Sequence, residues 1–217
     1  MVKAVIFDLD GTLLNTLPDI RDSMNRSLRA LGLPEHETAR YRTFVGNGVR
    51  MLAERAVGTE HIALREKAAE LYTRDYQANS AHLTKPYDGI TDMLRDIQAS
   101  HTPMAVLSNK PHPDTLRVVA HYFPNIHFTV IRGHMPDMPM KPDPAPALAV
   151  AVDLKVLPAE CLYAGDTSVD MICANAAGMM AVGVLWGFRE CDELLESGAQ
   201  AIIRCPRDIT DIVMKNI

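Results

Sequence analysis

Apolar and polar positions divide the chain into two regions of different period. An apolar run from Val2 to Phe7 reads as a buried strand and ends at Asp8-Leu9-Asp10-Gly11-Thr12. From 16 to about 81 the period is helical, with almost no strand signal. Pro18-Asp19-Ile20 opens a helix with proline in the first turn. Ile20, Met24, Ser27, Leu28 and Leu31 fall on one of its faces, and Gly32 ends it. Further helices are expected over 37–44, 49–57 and 60–79, the last carrying Ile62, Leu64, Leu71 and Tyr76 among many charges.

From His82 onward, strand and helix alternate. Apolar runs at 104–107, 128–131, 162–164, 182–186 and 201–203 read as short buried strands. Helical patterns lie over 90–99, 114–122, 145–152, 169–177, 191–197 and 209–215. This alternation predicts an α/β fold: a Rossmann-like core with a parallel sheet covered by helices on both faces. The expected core is 1–15 and 82–217, with 16–81 inserted as an all-α module.

Composition narrows the function without naming it. The 217 residues suit one large domain or two unequal ones. A net charge of -5 disfavours nucleic acid as a partner, because phosphate-backbone binding wants a basic face. No apolar run reaches the ~20 residues that span a bilayer, and the first residues read as a strand rather than a signal segment. Cys161, Cys173, Cys191 and Cys205 lack metal-type spacing and read as reduced, mostly buried thiols, so a cytoplasmic protein without membrane contact is expected.

The polar residues cluster at predicted strand ends, where ligands sit in open parallel sheets. These are Asp8 and Asp10, Ser108-Asn109-Lys110, Lys141-Pro142-Asp143-Pro144, and Gly165-Asp166-Thr167-Ser168-Val169-Asp170. Each has an ordinary reading by itself. Asp166 or Asp143 would cap a helix, Ser108-Asn109 would make a turn, and Lys141 would be a solvated lysine. Two carboxylates at the end of a buried strand remain costly unless a cation and a reaction justify them.

Taken together, Asp8-Leu9-Asp10-Gly11-Thr12, Ser108-Asn109, Lys141-Pro142 and Gly165-Asp166-Thr167 through Asp170 resemble the four motifs of the haloacid dehalogenase superfamily. Their order and spacing match, and the insert after the first motif is similar to that family's first type of helical cap. The resemblance implies a phosphotransferase using Mg²⁺ on a small phosphorylated metabolite. Asp8 would be the nucleophile, forming an aspartyl-phosphate. Asp10 would be general acid and base, a residue that dehalogenation does not need. Asp8, the main-chain carbonyl of Asp10, Asp166 and Asp170 would hold the metal, Asp170 directly or through water. Lys141 would hold the transferring phosphate and balance charge near Asp8, with Ser108 and the amides following it, that of Asn109 included, gripping the phosphate oxygens and the amides of Leu9 and Asp10 adding donors. Thr12 would orient the loop.

Within the superfamily the chain is most similar to phosphoglycolate phosphatases. Pro18-Asp19-Ile20, Asn25, Gly32 and Phe44-Val45-Gly46-Asn47-Gly48-Val49-Arg50 resemble their cap. Gly46-Asn47-Gly48 would form a specificity loop whose glycines let the main chain approach the substrate, and Arg50 would pair with a substrate carboxylate. For Gly46–Arg50 a plain inter-helix turn with a solvated arginine is the competing expectation. Inorganic pyrophosphatase and sugar-phosphate phosphatase stay open as activities, and monomer and homodimer as assemblies. β-Phosphoglucomutases carry a histidine four residues after the cap-opening threonine; here Ile20 stands there. Asn15 replaces an aspartate common in relatives and would still cap the first helix. A non-catalytic binding module is disfavoured because no motif residue is missing. Met135, Met138 and Met140 read as loop packing, and Trp186 as core or site rim.

Overall fold

A computed structural model describes residues 1–215. In chain order it begins with β1 (Ala4–Phe7) and the two-residue β2 (Leu14–Asn15). Helices α1 (Leu17–Ala30), α2 (Thr38–Phe44), α3 (Gly48–Val57) and α4 (Arg65–Asn79) follow, with a 3-10 turn at Thr59–Leu64 before α4. The chain continues through β3 (Lys85–Pro86), α5 (Ile90–Ala99), β4 (Met104–Pro111), α6 (His112–Tyr122), β5 (Val130–His134) and α7 (Ala145–Leu154). It ends with β6 (Cys161–Gly165), α8 (Ser168–Ala176), β7 (Met180–Val184), α9 (Cys191–Glu196), β8 (Ala201–Ile203) and α10 (Arg207–Met214). The chain separates into two units, one of Met1–Leu14 with the chain from Pro86 onward, the other Asn15–Lys85.

The first unit is an α/β, Rossmann-like sheet of six strands in the order β5-β4-β1-β6-β7-β8. All neighbouring strands are parallel. β1, β6, β7, β8 and the first half of β4 are apolar throughout because both faces of the sheet are covered there. Val5, Phe7, Val106, Leu162, Ala164 and Val182 belong to one core cluster; Ala4, Ile6, Ala105, Leu107, Tyr163 and Ala181 belong to another. The period of two thus deals alternate residues to opposite faces.

The second unit is helical. Leu17, Ile20, Met24 and Leu28 of α1 are buried, as are Leu52, Ala56 and Val57 of α3 and Tyr72 and Tyr76 of α4. Asn25 ties this unit together: it accepts from Tyr41 Oη at 2.6 Å and from His36 N at 3.0 Å, and donates to His36 O at 2.9 Å.

Several local expectations are corrected. β4 does not stop at 107 but runs to Pro111, because pairing with β5 continues to Pro111↔His134 across an irregularity after Leu107. Ser108, Asn109 and Lys110 are therefore strand residues rather than a turn. β7 is Met180–Val184, not 182–186, its ends set by pairing with β6 and β8. Trp186 lies beyond it, packs against the core and donates through Nε1 to Thr12 O at 2.8 Å. The expected helix over 60–79 begins at Arg65, since His61 has non-helical backbone angles. Asn15 does not cap α1: it sits in β2, and the cap position is Thr16, which makes no side-chain capping bond. Among the described residues no helix is long and apolar enough to cross a membrane.

Candidate active site

Chain order reverses about β1, with β4 and β5 on one side of it and β6, β7 and β8 on the other. The crevice past the carboxyl ends of such strands is where open α/β sheets bind ligands. Asp8 follows β1, its main-chain N–H donating to Ala164 O at 2.9 Å. Asp166 follows β6, and Asp170 lies in the first turn of α8. One carboxylate oxygen from each of Asp8, Asp166 and Asp170 falls within 4.8 Å of the others, and all three residues are buried.

Lys141 enters this cluster from the segment before α7. Its Nζ donates to Asp8 Oδ1 and Asp170 Oδ1, each at 2.7 Å, and to Leu107 O at 3.0 Å. The ammonium also lies 5.6 Å from the centre of the Tyr163 ring. Asn109 fixes the main chain of Lys141 through both ends of its amide, donating to Lys141 O and accepting from Lys141 N, each at 2.9 Å. The side chain of Asn109 is thus a brace for the lysine. Ser108 is buried beside it, and its Oγ accepts from Lys110 N at 3.2 Å.

Asp166 is held from two directions. Thr12 Oγ1 donates to its Oδ1 at 2.9 Å, and Phe188 N donates to its Oδ2 at 2.8 Å. Space for it depends on glycine: a Cβ at Gly11, whose φ is +96°, or at Gly187 would collide with the carboxylate. Both oxygens of Asp170 are also in hydrogen bonds, Oδ1 with Lys141 and Oδ2 with Thr167 Oγ1 at 2.7 Å and Thr167 N at 3.1 Å. Thr167 and Asp170 thus form the reciprocal bonds that start α8.

The electrostatics of the cluster are unbalanced. Three buried carboxylates face one buried ammonium. Burial pushes the Asp8 carboxyl up to about 7, against the pull of Lys141. Burial, then the neighbouring charges of Asp8 and Asp170, hold Asp166 well above the usual carboxylate range. Burial works against the Lys141 charge, but Asp170 and Asp8 together outweigh it and keep the ammonium. Carboxylates that burial drives toward protonation, converging on one point, fit a hard divalent cation, which would neutralise them and take oxygen ligands. Asp8, Asp166 and Asp170 could hold such an ion.

Asp10 stands apart from this set. Its carboxylate is not one of the converging three; Oδ2 pairs with Lys110 Nζ at 3.0 Å. Tyr163 and Phe188 are participants that the sequence did not single out, and Lys110 stood in a strand-end cluster without an assigned role. The signal for Lys110 was its place two residues after Ser108, a spacing that matches Asp8 and Asp10 just past the end of β1.

The remaining expected residues lie in the helical unit. Gly46 and Asn47 form the turn between α2 and α3, with Asn47 at the cap position of α3. Arg55 braces this turn, donating to Thr43 O, Phe44 O and Asn47 Oδ1 at 3.1, 2.9 and 2.9 Å. Arg50 is exposed and pairs with Glu66 at 2.9 Å.

A family model described as haloacid dehalogenase-like hydrolase matches residues 5–184. The chain belongs to that family. Among relatives, a phosphoglycolate phosphatase of Chromobacterium violaceum is 30% identical over 220 residues, covering 99% of this chain and 97% of that one. A phosphoglycolate phosphatase of Pseudomonas putida is 35% identical over 192 residues, covering 86% of this chain and 70% of that one. A haloacid dehalogenase-like hydrolase of Streptococcus pneumoniae has the same fold, with a TM-score of 0.89 at 22% identity over 98% of each chain.

Proposed function

We propose that the protein is a Mg²⁺-dependent phosphoric monoester hydrolase acting on 2-phosphoglycolate in the cytoplasm through an aspartyl-phosphate on Asp8. The observation that carries this reading is the buried meeting of Asp8, Asp166 and Asp170 around Lys141 at the sheet's reversal point. Relatives that align over nearly the whole chain and are phosphoglycolate phosphatases support the choice of substrate.

Asp8 attacks phosphorus and the leaving alkoxide departs, so one difficult hydrolysis becomes two easier steps. Lys141 offsets the charge of Asp8 and holds a phosphoryl oxygen. The Ser108 hydroxyl and the main-chain amides after Asp8 and Ser108 take the others, fixed in place before reaction. Asp10 gives its proton to the leaving oxygen. It then takes one from the water that opens the acyl-phosphate. Bound Mg²⁺ supplies positive charge that lets a carboxylate approach an anionic phosphate. Asp8, Asp166 and the main-chain carbonyl of Asp10 would hold it. Asp170 would join them directly or through water, while its Oδ1 also holds Lys141 in place. Gly46, Asn47 and Arg50 of the helical unit are assigned to substrate selection, Arg50 leaving Glu66 for the substrate carboxylate.

A panel of 2-phosphoglycolate, sugar phosphates, p-nitrophenyl phosphate and pyrophosphate, assayed with and without Mg²⁺, tests the reading. It expects the highest kcat/KM on 2-phosphoglycolate and none without metal. Preference for pyrophosphate or a sugar phosphate would reject the substrate. Arg50→Ala should hurt 2-phosphoglycolate far more than p-nitrophenyl phosphate; equal losses remove Arg50 from recognition.

A further inference from the structure

Lys110 carries a buried charge that the steps above leave without a task. Its Nζ lies 3.0 Å from Asp10 Oδ2, and its side chain is 5% exposed. The other oxygen of the same carboxylate, Asp10 Oδ1, is buried and has no hydrogen-bond partner. Buried carboxylate oxygens are normally satisfied, so an orphan at a reaction centre marks a place kept for something that arrives. The asymmetry is enforced by the surroundings. The main chain of Lys110 is anchored on both sides, its N–H donating to Ser108 Oγ at 3.2 Å and its carbonyl accepting from Thr115 Oγ1 at 3.2 Å. The loop of Asp10 is closed by a bridge between Asp10 and Leu14 and by Gly11 N donating to Leu14 O at 2.8 Å. Rotation of the carboxylate is the freedom that remains, and the ion pair removes it.

We propose that Lys110 is a positioning residue that pins Oδ2 of Asp10, leaving Oδ1 as the one oxygen that exchanges a proton with the leaving group and then with water. The inference rests on the acid-base role assigned to Asp10 above. The residue type suits the task. A lysine ammonium is a point charge that can hold one carboxylate oxygen, whereas an arginine fork tends to take both. With Oδ2 held, the proton leaves from Oδ1 to the departing alkoxide, and Oδ1 recovers a proton from the attacking water. No other group needs to be reprotonated between the two steps.

The test is kcat/KM for a series of aryl phosphates whose leaving phenols differ in acidity, since kcat/KM reports phosphoenzyme formation. Wild type, Lys110→Met, Lys110→Gln and Asp10→Asn are compared. Acidic phenols depart without a proton, so Lys110→Met keeps most of its rate on them. On the least acidic phenol it loses ~10- to 100-fold, part of the 10²–10⁴ typical of a placed general acid. Its dependence on leaving-group acidity steepens toward that of Asp10→Asn. Lys110→Gln retains an N–H donor in the buried slot, falls between, and carries the test where Lys110→Met fails to fold. A uniform loss across the series in the variants that fold overturns the inference and returns Lys110 to the fold or to phosphate binding. An unchanged slope in Asp10→Asn is a separate outcome: it overturns the acid-base role itself, and the inference with it.

Discussion

Replacing Lys141 by methionine isolates the electrostatic demand of the site. Methionine fills much of the same volume without the charge, so packing changes little. The ammonium it removes makes three hydrogen bonds, at 2.7, 2.7 and 3.0 Å, two of them to carboxylates. Removing one partner of a buried ion pair costs about 3–5 kcal/mol because the other charge stays behind. That cost depends on pH. The Asp8 carboxyl is raised from 3.8 to about 7 even with the lysine present. Below that range Asp8 carries its proton, and Asp170 is the carboxylate that Lys141 still offsets. Above it the carboxylate is ionised and the lysine matters most. The loss of stability in Lys141→Met should therefore be smaller near pH 5, where the bond to Asp170 is the charge pair removed, than at pH 8, where the pair with Asp8 is removed as well. Urea unfolding of metal-free wild type and variant at the two pH values measures this. Equal losses at both would refute the claim that the charge of Asp8 sets the demand on Lys141. Activity should vanish at either pH.

Three further outcomes follow from the same geometry. In metal-free wild type, a carboxyl raised in the folded state contributes stability below pH 3.8 that is lost as pH rises through about 7; Tm with a chelator should fall over that window, and added Mg²⁺ should raise Tm more at pH 8 than at pH 5. Thr12→Val removes the donor at 2.9 Å from Asp166 Oδ1 while keeping shape; Mg²⁺ affinity by calorimetry should drop ~10- to 100-fold, as for other outer partners of metal ligands. Asn25→Ala breaks three hydrogen bonds in the helical unit; it should lower stability by about 2–4 kcal/mol, at a typical ~1 kcal/mol per bond, while kcat on p-nitrophenyl phosphate holds.

How far the sequence could be read depended on whether its signal was local. Buried parallel strands announce themselves as apolar runs, so the sheet and its alternation with helices were legible. Strand ends were not: β4 carries Ser108, Asn109 and Lys110, whose composition says turn, because pairing with β5 outweighs local preference. The pairing of β2 with β3 joins two-residue segments with no pattern to detect. The carboxylates of the site and Lys141 were visible as a motif set, but the other partners of those carboxylates were not. Lys110, Thr12 and Phe188 reach Asp10 and Asp166 only after the chain has folded, across sequence separations that no periodicity spans. The side chain of Asn109 braces Lys141 through both ends of its amide, a long-range contact that the sequence did not announce.

The nucleophile is the centre of the account, and direct detection of the intermediate tests it. Wild type mixed with 2-phosphoglycolate and Mg²⁺, quenched in acid and digested, should carry one phosphoryl group on the peptide containing Asp8. Asp8→Asn, still folded by circular dichroism, should carry none and should not turn over. A phosphoryl group on another residue, or hydrolysis sustained by Asp8→Asn, would contradict the covalent mechanism.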